Sequence, residues 1–205
     1  MSPCGLINYN DWFTNGLSTW IKSLTYMLNS LNKLDIDYIQ EYLNDEIMSK
    51  TYPVICPFTK DDATSYVEQE IKGWAAGCRY PFSIIINNKF VGVCALYDVN
   101  RTDRTSKIYY WVAVEFWGLG IATKAVKQLL KYARIELELT QLTTGVLERN
   151  IGSKRVLEKN GFYVEKILVN EGKYHGKFLG EKFLEMKLNL KNSSSMKPIT
   201  KPKAH

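Results

Sequence analysis

Apolar positions recur along this chain with two periods, and each period marks a kind of element. In DIDYIQEYLNDEIM, residues 35–48, Ile36, Ile39, Leu43 and Ile47 fall on one helical face. In PFTKDDATSYVEQEIKGWAAG, residues 57–77, the stripe is Ala63, Tyr66, Val67, Ile71 and Trp74. Thr59 is placed to cap that helix, Asp61 and Asp62 fall in its first turn, and Gly77 ends it. Ile121, Ala125, Val126, Leu129 and Ala133 give a third helix its inner face. IGSKRVLEKNGF, residues 151–162, reads as a short helix stopped by Gly161.

The other period is two. FSIII and KFVGVCALYDV flank Asn87-Asn88 and predict a hairpin. SKIYYWVAV (106–114) is rich in β-branched and aromatic residues. LTYMLNSL (24–31), LTTGVL (142–147) and FYVEKILV complete the list, together with KFLEMKLNL, where Leu184, Met186, Leu188 and Leu190 alternate with polar residues. The order is β-α-α-β-β-β-α-β-α-β-β, a mixed α/β sheet. Residues 1–23 show no clear element, so a main domain is expected over 24–190.

One junction in this order asks for an explanation. FWGLGIATKAVKQLLKYAR, residues 116–134, opens a helix with Gly118 and Gly120. A helix start leaves N–H groups unpaired and carries the positive end of the helix dipole, so it suits an anion. Glycines there let a phosphate approach the backbone closely. The run lacks the GxxxxGK[ST] of a P-loop, and no third glycine completes a GxGxxG fingerprint. A coenzyme A pyrophosphate loop remains, beside a tight turn that holds no ligand.

Composition narrows the class. The chain has 205 residues and 45% apolar content, enough for one substantial core. No apolar run is long enough to span a membrane, and MSPCGLINYND does not read as a signal peptide, so none is expected. Cys4, Cys56, Cys78 and Cys94 form no CxxC pair, which fits a reduced, cytoplasmic protein. With His175 and His205 the only histidines, no metal site is expected. The net charge is +6, but Lys191, Lys197, Lys201 and Lys203 sit in an acid-free tail over 191–205. That polar tail is expected to be disordered, and no specific nucleic-acid partner is expected.

The motifs carry a resemblance. YYWVAVEFWGLGIATKAVKQLLKYA resembles motif A of the GNAT superfamily of N-acetyltransferases, in the branch that includes the ribosomal-protein (alanine) N-terminal acetyltransferases. ERNIGSKRVLEKNGF resembles that branch's N-x-x-S-x-x-V-L-E-K-x-G-F signature, and LND…PFTKDDA its entry to the second helix. The resemblance runs over residues 24–190. It implies a mixed, mostly antiparallel central sheet flanked by helices, with a V-shaped opening between two parallel strands. It also implies acetyl-CoA as cofactor. Backbone groups of Val112 and Val114 would meet the pantetheine arm. The N–H groups from Gly118 through Leu119, Gly120, Ile121 and Ala122 to Thr123 would receive the pyrophosphate, with Trp117 at the place of the superfamily's Gln or Arg. Asn150 and Ser153 would lie near the thioester. The chain departs from the pattern at Lys107, where an acid is common, at Tyr109, where glycine is frequent, and at Gly180, where the branch often has an acid. Leu157 stands where other branches place a proton-donating tyrosine.

Acetyl transfer needs a neutral amine, a polarised thioester carbonyl and a departing thiolate. Ser153 is the candidate donor to the thiolate, and a strand N–H at Val112–Val114 the candidate oxyanion donor. For a base the sequence offers Asp98 and Glu171, with Glu115 and His175 as weaker choices; each also reads as a surface or turn residue. One of the tyrosines 109 and 110 is a candidate to line the pocket. The implied activity is N-acetyl transfer to a primary amine, a peptide N-terminal α-amine or a small amine, by direct attack in a ternary complex. The alternative is a non-catalytic acyl-CoA-binding module. A monomer or a homodimer is expected, with no membrane partner.

Overall fold

The computed structural model describes residues 26–171 and 177–190. The expected extension over 1–23, the basic tail over 191–205 and His175 lie outside the described residues. The elements are β1 (Tyr26–Ser30), α1 (Ile36–Leu43), α2 (Glu46–Ser49), α3 (Lys60–Ala75), β2 (Tyr80–Ile86), β3 (Lys89–Asn100), β4 (Thr105–Val112), α4 (Ile121–Ile135), β5 (Gln141–Leu147), α5 (Ile151–Lys159), β6 (Tyr163–Val169) and β7 (Lys182–Asn189). One seven-stranded sheet runs in the order β1-β2-β3-β4-β5-β7-β6. Every neighbouring pair is antiparallel except β4 with β5. No helix among the described residues is long and apolar enough to cross a membrane.

Local chemistry sets the element ends. Thr59 and Asp62 exchange hydrogen bonds in a capping box that starts α3. After α5, the Phe162 N–H donates to the Leu157 carbonyl and the Gly161 N–H to that of Glu158. This is a Schellman ending, and it requires the positive φ of 87° at Gly161. Asn87 and Asn88 take φ of 47° and 62°, the left-handed pair that a two-residue hairpin turn demands.

Two clusters fill the core, one on each face. Ile121, Ala125, Val126, Leu129 and Ala133 of α4 pack on Ile84, Leu96, Ile108 and Leu142. Ile39, Leu43, Ala63 and Val67, from α1 and α3, pack with Val93 and Trp111.

Three expectations need correction. The helix over 35–48 is two helices, because Asp45 accepts from the Ile47 and Met48 N–H groups and starts a new one. The break turns Ile47 outward and buries Met48. On α3 the inner face rotates past Ile71, which is 36% exposed, onto Glu70, which is 1% exposed. Finally, β4 ends at Val112, and Val114 begins a 3-10 turn instead of extending the strand.

Candidate active site

The site begins where the sheet splits. The β4–β5 ladder holds three residue pairs, Thr105 with Gln141, Ser106 with Leu142 and Lys107 with Thr143. At the next position a side chain replaces the backbone bond: Thr144 Oγ1 donates to the Ile108 carbonyl at 2.9 Å. Beyond it the strands part around an open cavity of about 900 Å³.

At one end of this cavity, Gly118 and Gly120 hold φ of 78° and 74°. A Cβ built on either glycine meets no protein atom within 4 Å. Positive φ is therefore what the protein itself asks of them, and the space beside them is free for a ligand. The first helical bond of α4 runs from Lys124 N to Gly120 O at 3.1 Å, which leaves the N–H groups of Ile121, Ala122 and Thr123 without intrahelical partners. Arg155 and Lys159, one turn apart on α5, add positive charge to the wall. These features fit a phosphate.

The expected residues divide. Val112, Trp117, Gly118, Gly120, Ile121, Ala122, Thr123, Asn150 and Ser153 all line the cavity. Leu119 does not, being 62% exposed, and Val114 lines a separate small recess with Tyr42 and Glu115. The Ala113 N–H donates to the Val91 carbonyl at 2.8 Å, so the Val112 peptide groups one residue earlier point away from β3, toward the opening. The Val112 carbonyl is already used, because the Trp117 indole N–H donates to it at 2.6 Å. Trp117 thus ties the glycine loop to the strand end, and the Val112 N–H is the group left on the opening side.

On the other wall, Asn150 caps α5 by accepting from the Ser153 N–H at 3.0 Å. The Ser153 hydroxyl lies 2.7 Å from the Tyr110 hydroxyl, which also donates to the Ser153 carbonyl at 3.0 Å. Tyr110 has a single proton, shared between these two acceptors; when it points to Ser153 Oγ, the serine proton is left for an acceptor in the cavity. Burial pushes the Tyr110 phenol above its usual range, and it stays protonated at neutral pH.

Asp98 and Glu171 are not brought to the cavity. Asp98 sits at φ 50° in a strand irregularity, paired with Lys107 at 3.0 Å. Glu171 is exposed and lies outside the lining. The far end of the cavity is lined by Tyr109, one of the two candidate tyrosines, and by residues that no motif marked, among them Tyr52, Tyr66, Glu70, Arg79 and Tyr97. One signal was available: Glu70 interrupts the apolar stripe of α3 between Val67 and Trp74.

Residues 26–163 match the family model described as the acetyltransferase (GNAT) domain. The chain belongs to the GNAT family. It is 37% identical over 100 residues to the "Probable N-acetyltransferase YjcK" of Bacillus subtilis (strain 168), a match covering 47% of this chain and 55% of that one. The match thus spans about half of that relative's length. Two solved structures share the GNAT fold. The Vibrio cholerae spermidine N-acetyltransferase with CoA and spermine aligns with TM-score 0.69 at 19% identity, over 80% of this chain and 95% of that one. A ribosomal L7/L12 α-N-protein acetyltransferase aligns with TM-score 0.71 at 16% identity, over 80% and 90%.

Proposed function

We propose that this protein is an acetyl-CoA-dependent N-acetyltransferase that acts on a primary amine, a peptide N-terminal α-amine or a small amine, by direct attack in a ternary complex. The observation that carries the reading is the meeting of two features in one cavity: the parted strands β4 and β5, and the open N-terminus of α4 behind its two positive-φ glycines. Membership of the GNAT family supports it.

Bound acetyl-CoA supplies the acetyl thioester. The N–H groups of Ile121, Ala122 and Thr123 hold its pyrophosphate, helped by Arg155 and Lys159. The Val112 N–H is the donor for the thioester carbonyl oxygen, and Ser153 Oγ donates to the departing sulfur. Tyr110 positions that hydroxyl. Burial raises the phenols of Tyr52, Tyr66, Tyr109 and Tyr110, so none of them is a base near neutrality. With Glu70 held by Arg79, no free carboxylate or histidine lines the cavity among the described residues, and the acceptor would lose its proton to solvent. An α-amine, with pKa about 7.7–8.0, is roughly one unit away at pH 7, whereas a lysine amine is more than three units away, about 4–5 kcal/mol.

The test is steady-state turnover of acetyl-CoA with a panel of amines, read by thiol release. Turnover with at least one primary amine is expected. Tight acetyl-CoA binding with no turnover of any amine would favour the non-catalytic binding module, a reading supported by the buried Leu157 at the usual tyrosine position.

A further inference from the structure

We infer that the far end of the cavity is a subsite for an sp2 oxygen, a carbonyl or carboxylate carried by the amine acceptor, and that Arg79 reads it while clamped by Glu70. The inference rests on the acetyltransferase reading and names the acceptor's chemistry.

Arg79 Nε lies 3.0 Å from both Glu70 carboxylate oxygens, and Nη2 lies 2.5 Å from Oε1. The Glu70 side chain is 1% exposed and that of Arg79 23%, so the pair is sunk in the wall with the guanidinium on the cavity side. Among the described residues, no hydrogen bond uses Arg79 Nη1. The stem of Arg79 is seated on α3 at Gly73, where an added Cβ would fall 2.3 Å from its Cδ. Its head lies 5.6 Å from the Tyr97 ring centre. These contacts fix the fork in one orientation.

The rest of this end also offers donors. The Tyr66 and Tyr109 hydroxyls are 2.7 Å apart and, with raised phenol pKa values, remain protonated. The Trp111 indole N–H is fully buried beside the Tyr66 hydroxyl and backs it from the protein side. Gln69 and the hydroxyls can donate or accept, but the guanidinium only donates. The single carboxylate lining this end, Glu70, is consumed by Arg79. A polyamine needs free acids to hold its further cations, and among the described residues none lines this end. A carbonyl or carboxylate oxygen satisfies the donors that are present.

The probes are alaninamide, alanine, sec-butylamine, which has no oxygen, and 1,4-diaminobutane, with each kcat/KM referred to the neutral amine. The wild-type protein is expected to prefer alaninamide or alanine to sec-butylamine by about ten- to a hundredfold, the worth of a hydrogen bond to a charged group. The alanine and alaninamide arms tell carboxylate from carbonyl. In Arg79→Met that preference is expected to fall at least tenfold, with calorimetric affinity for acetyl-CoA retained. Should Arg79→Met not fold, the double variant Glu70→Met, Arg79→Met replaces the buried pair with apolar groups and is read the same way. Preference for 1,4-diaminobutane in the wild type, or an unchanged ratio in a folded variant, overturns the inference. If acetyl-CoA binds and amines react without an oxygen preference, only this inference falls. If acetyl-CoA neither binds nor turns over, the acetyltransferase reading falls first.

Discussion

The two ends of the cavity are built in different ways. The proposed cofactor end comes from two short stretches, 112–123 and 150–159, and its chemistry lies largely in the backbone: helix N–H groups, two left-handed glycines and a strand N–H. The proposed acceptor end is gathered from Thr51, Tyr52, Tyr66, Glu70, Arg79, Tyr97 and Tyr109, and its chemistry lies in side chains. A backbone site needs a particular local conformation, and local conformation leaves a sequence pattern. A side-chain site needs only the right groups at distant places, so its residues are recognisable only once the chain is folded.

That contrast breaks most severely if the glycine loop does not hold the cofactor. Gly120→Val is expected to lower acetyl-CoA affinity at least a hundredfold by calorimetry, since the branched side chain fills the space beside the N–H groups. The left-handed φ adds a strain of about 1–2 kcal/mol for any L side chain. Gly120→Ala should therefore lose stability to a similar extent and affinity to a smaller one. Unchanged affinity in both would remove the backbone end of the comparison.

A smaller effect tests the wall between the two ends. Ser153→Ala is expected to lower kcat by about ten- to a hundredfold, the loss of a hydrogen bond worth roughly 1.5–3 kcal/mol to a charged partner. The Michaelis constant for acetyl-CoA should stay near its wild-type value. A collapse of that constant with kcat intact would make Ser153 a binding residue. Tyr110→Phe leaves Ser153 in place and removes only its partner, so a three- to tenfold loss in kcat is expected, about one neutral hydrogen bond. Because the Tyr110 pKa is raised, its protonated form persists up to and beyond pH 10. The activity that depends on it is present below that pH and lost only above it. Between pH 7 and 9, kcat/KM should follow the acceptor's own amine. A falling limb in that window would identify a different essential group. Least of all, deleting residues 191–205 is expected to leave small-amine turnover within twofold, since so polar a segment has little to dock with.

Much of the scaffold was legible because periodicity and punctuation agreed. The five inward residues of α4 are all buried, the Asn87-Asn88 turn is a hairpin, and Gly161 closes α5. The failures have physical causes. Ile47 fits the period of Ile36, Ile39 and Leu43, so nothing in the spacing shows that Asp45 restarts the helix. Ile71 fits the apolar stripe and Glu70 does not, and burial of that carboxylate depends on a partner, Arg79, that lies beyond the helix end. Asp98 and Glu171 were chosen for their acidity; the first is held by Lys107 and neither reaches the cavity.

The three-rung seam between β4 and β5 has a mechanical consequence. Each of the flanking ladders, β3 with β4 and β5 with β7, holds seven paired positions. The sheet therefore behaves as two stiff plates joined by a short weld, and short ladders open at low free energy. Deuterium is expected to enter this seam before the two ladders that flank it. A cofactor lodged between the plates, as proposed, would act as a splint, and is expected to slow exchange at Thr105–Lys107 and Gln141–Thr143 more than in the strands at either edge.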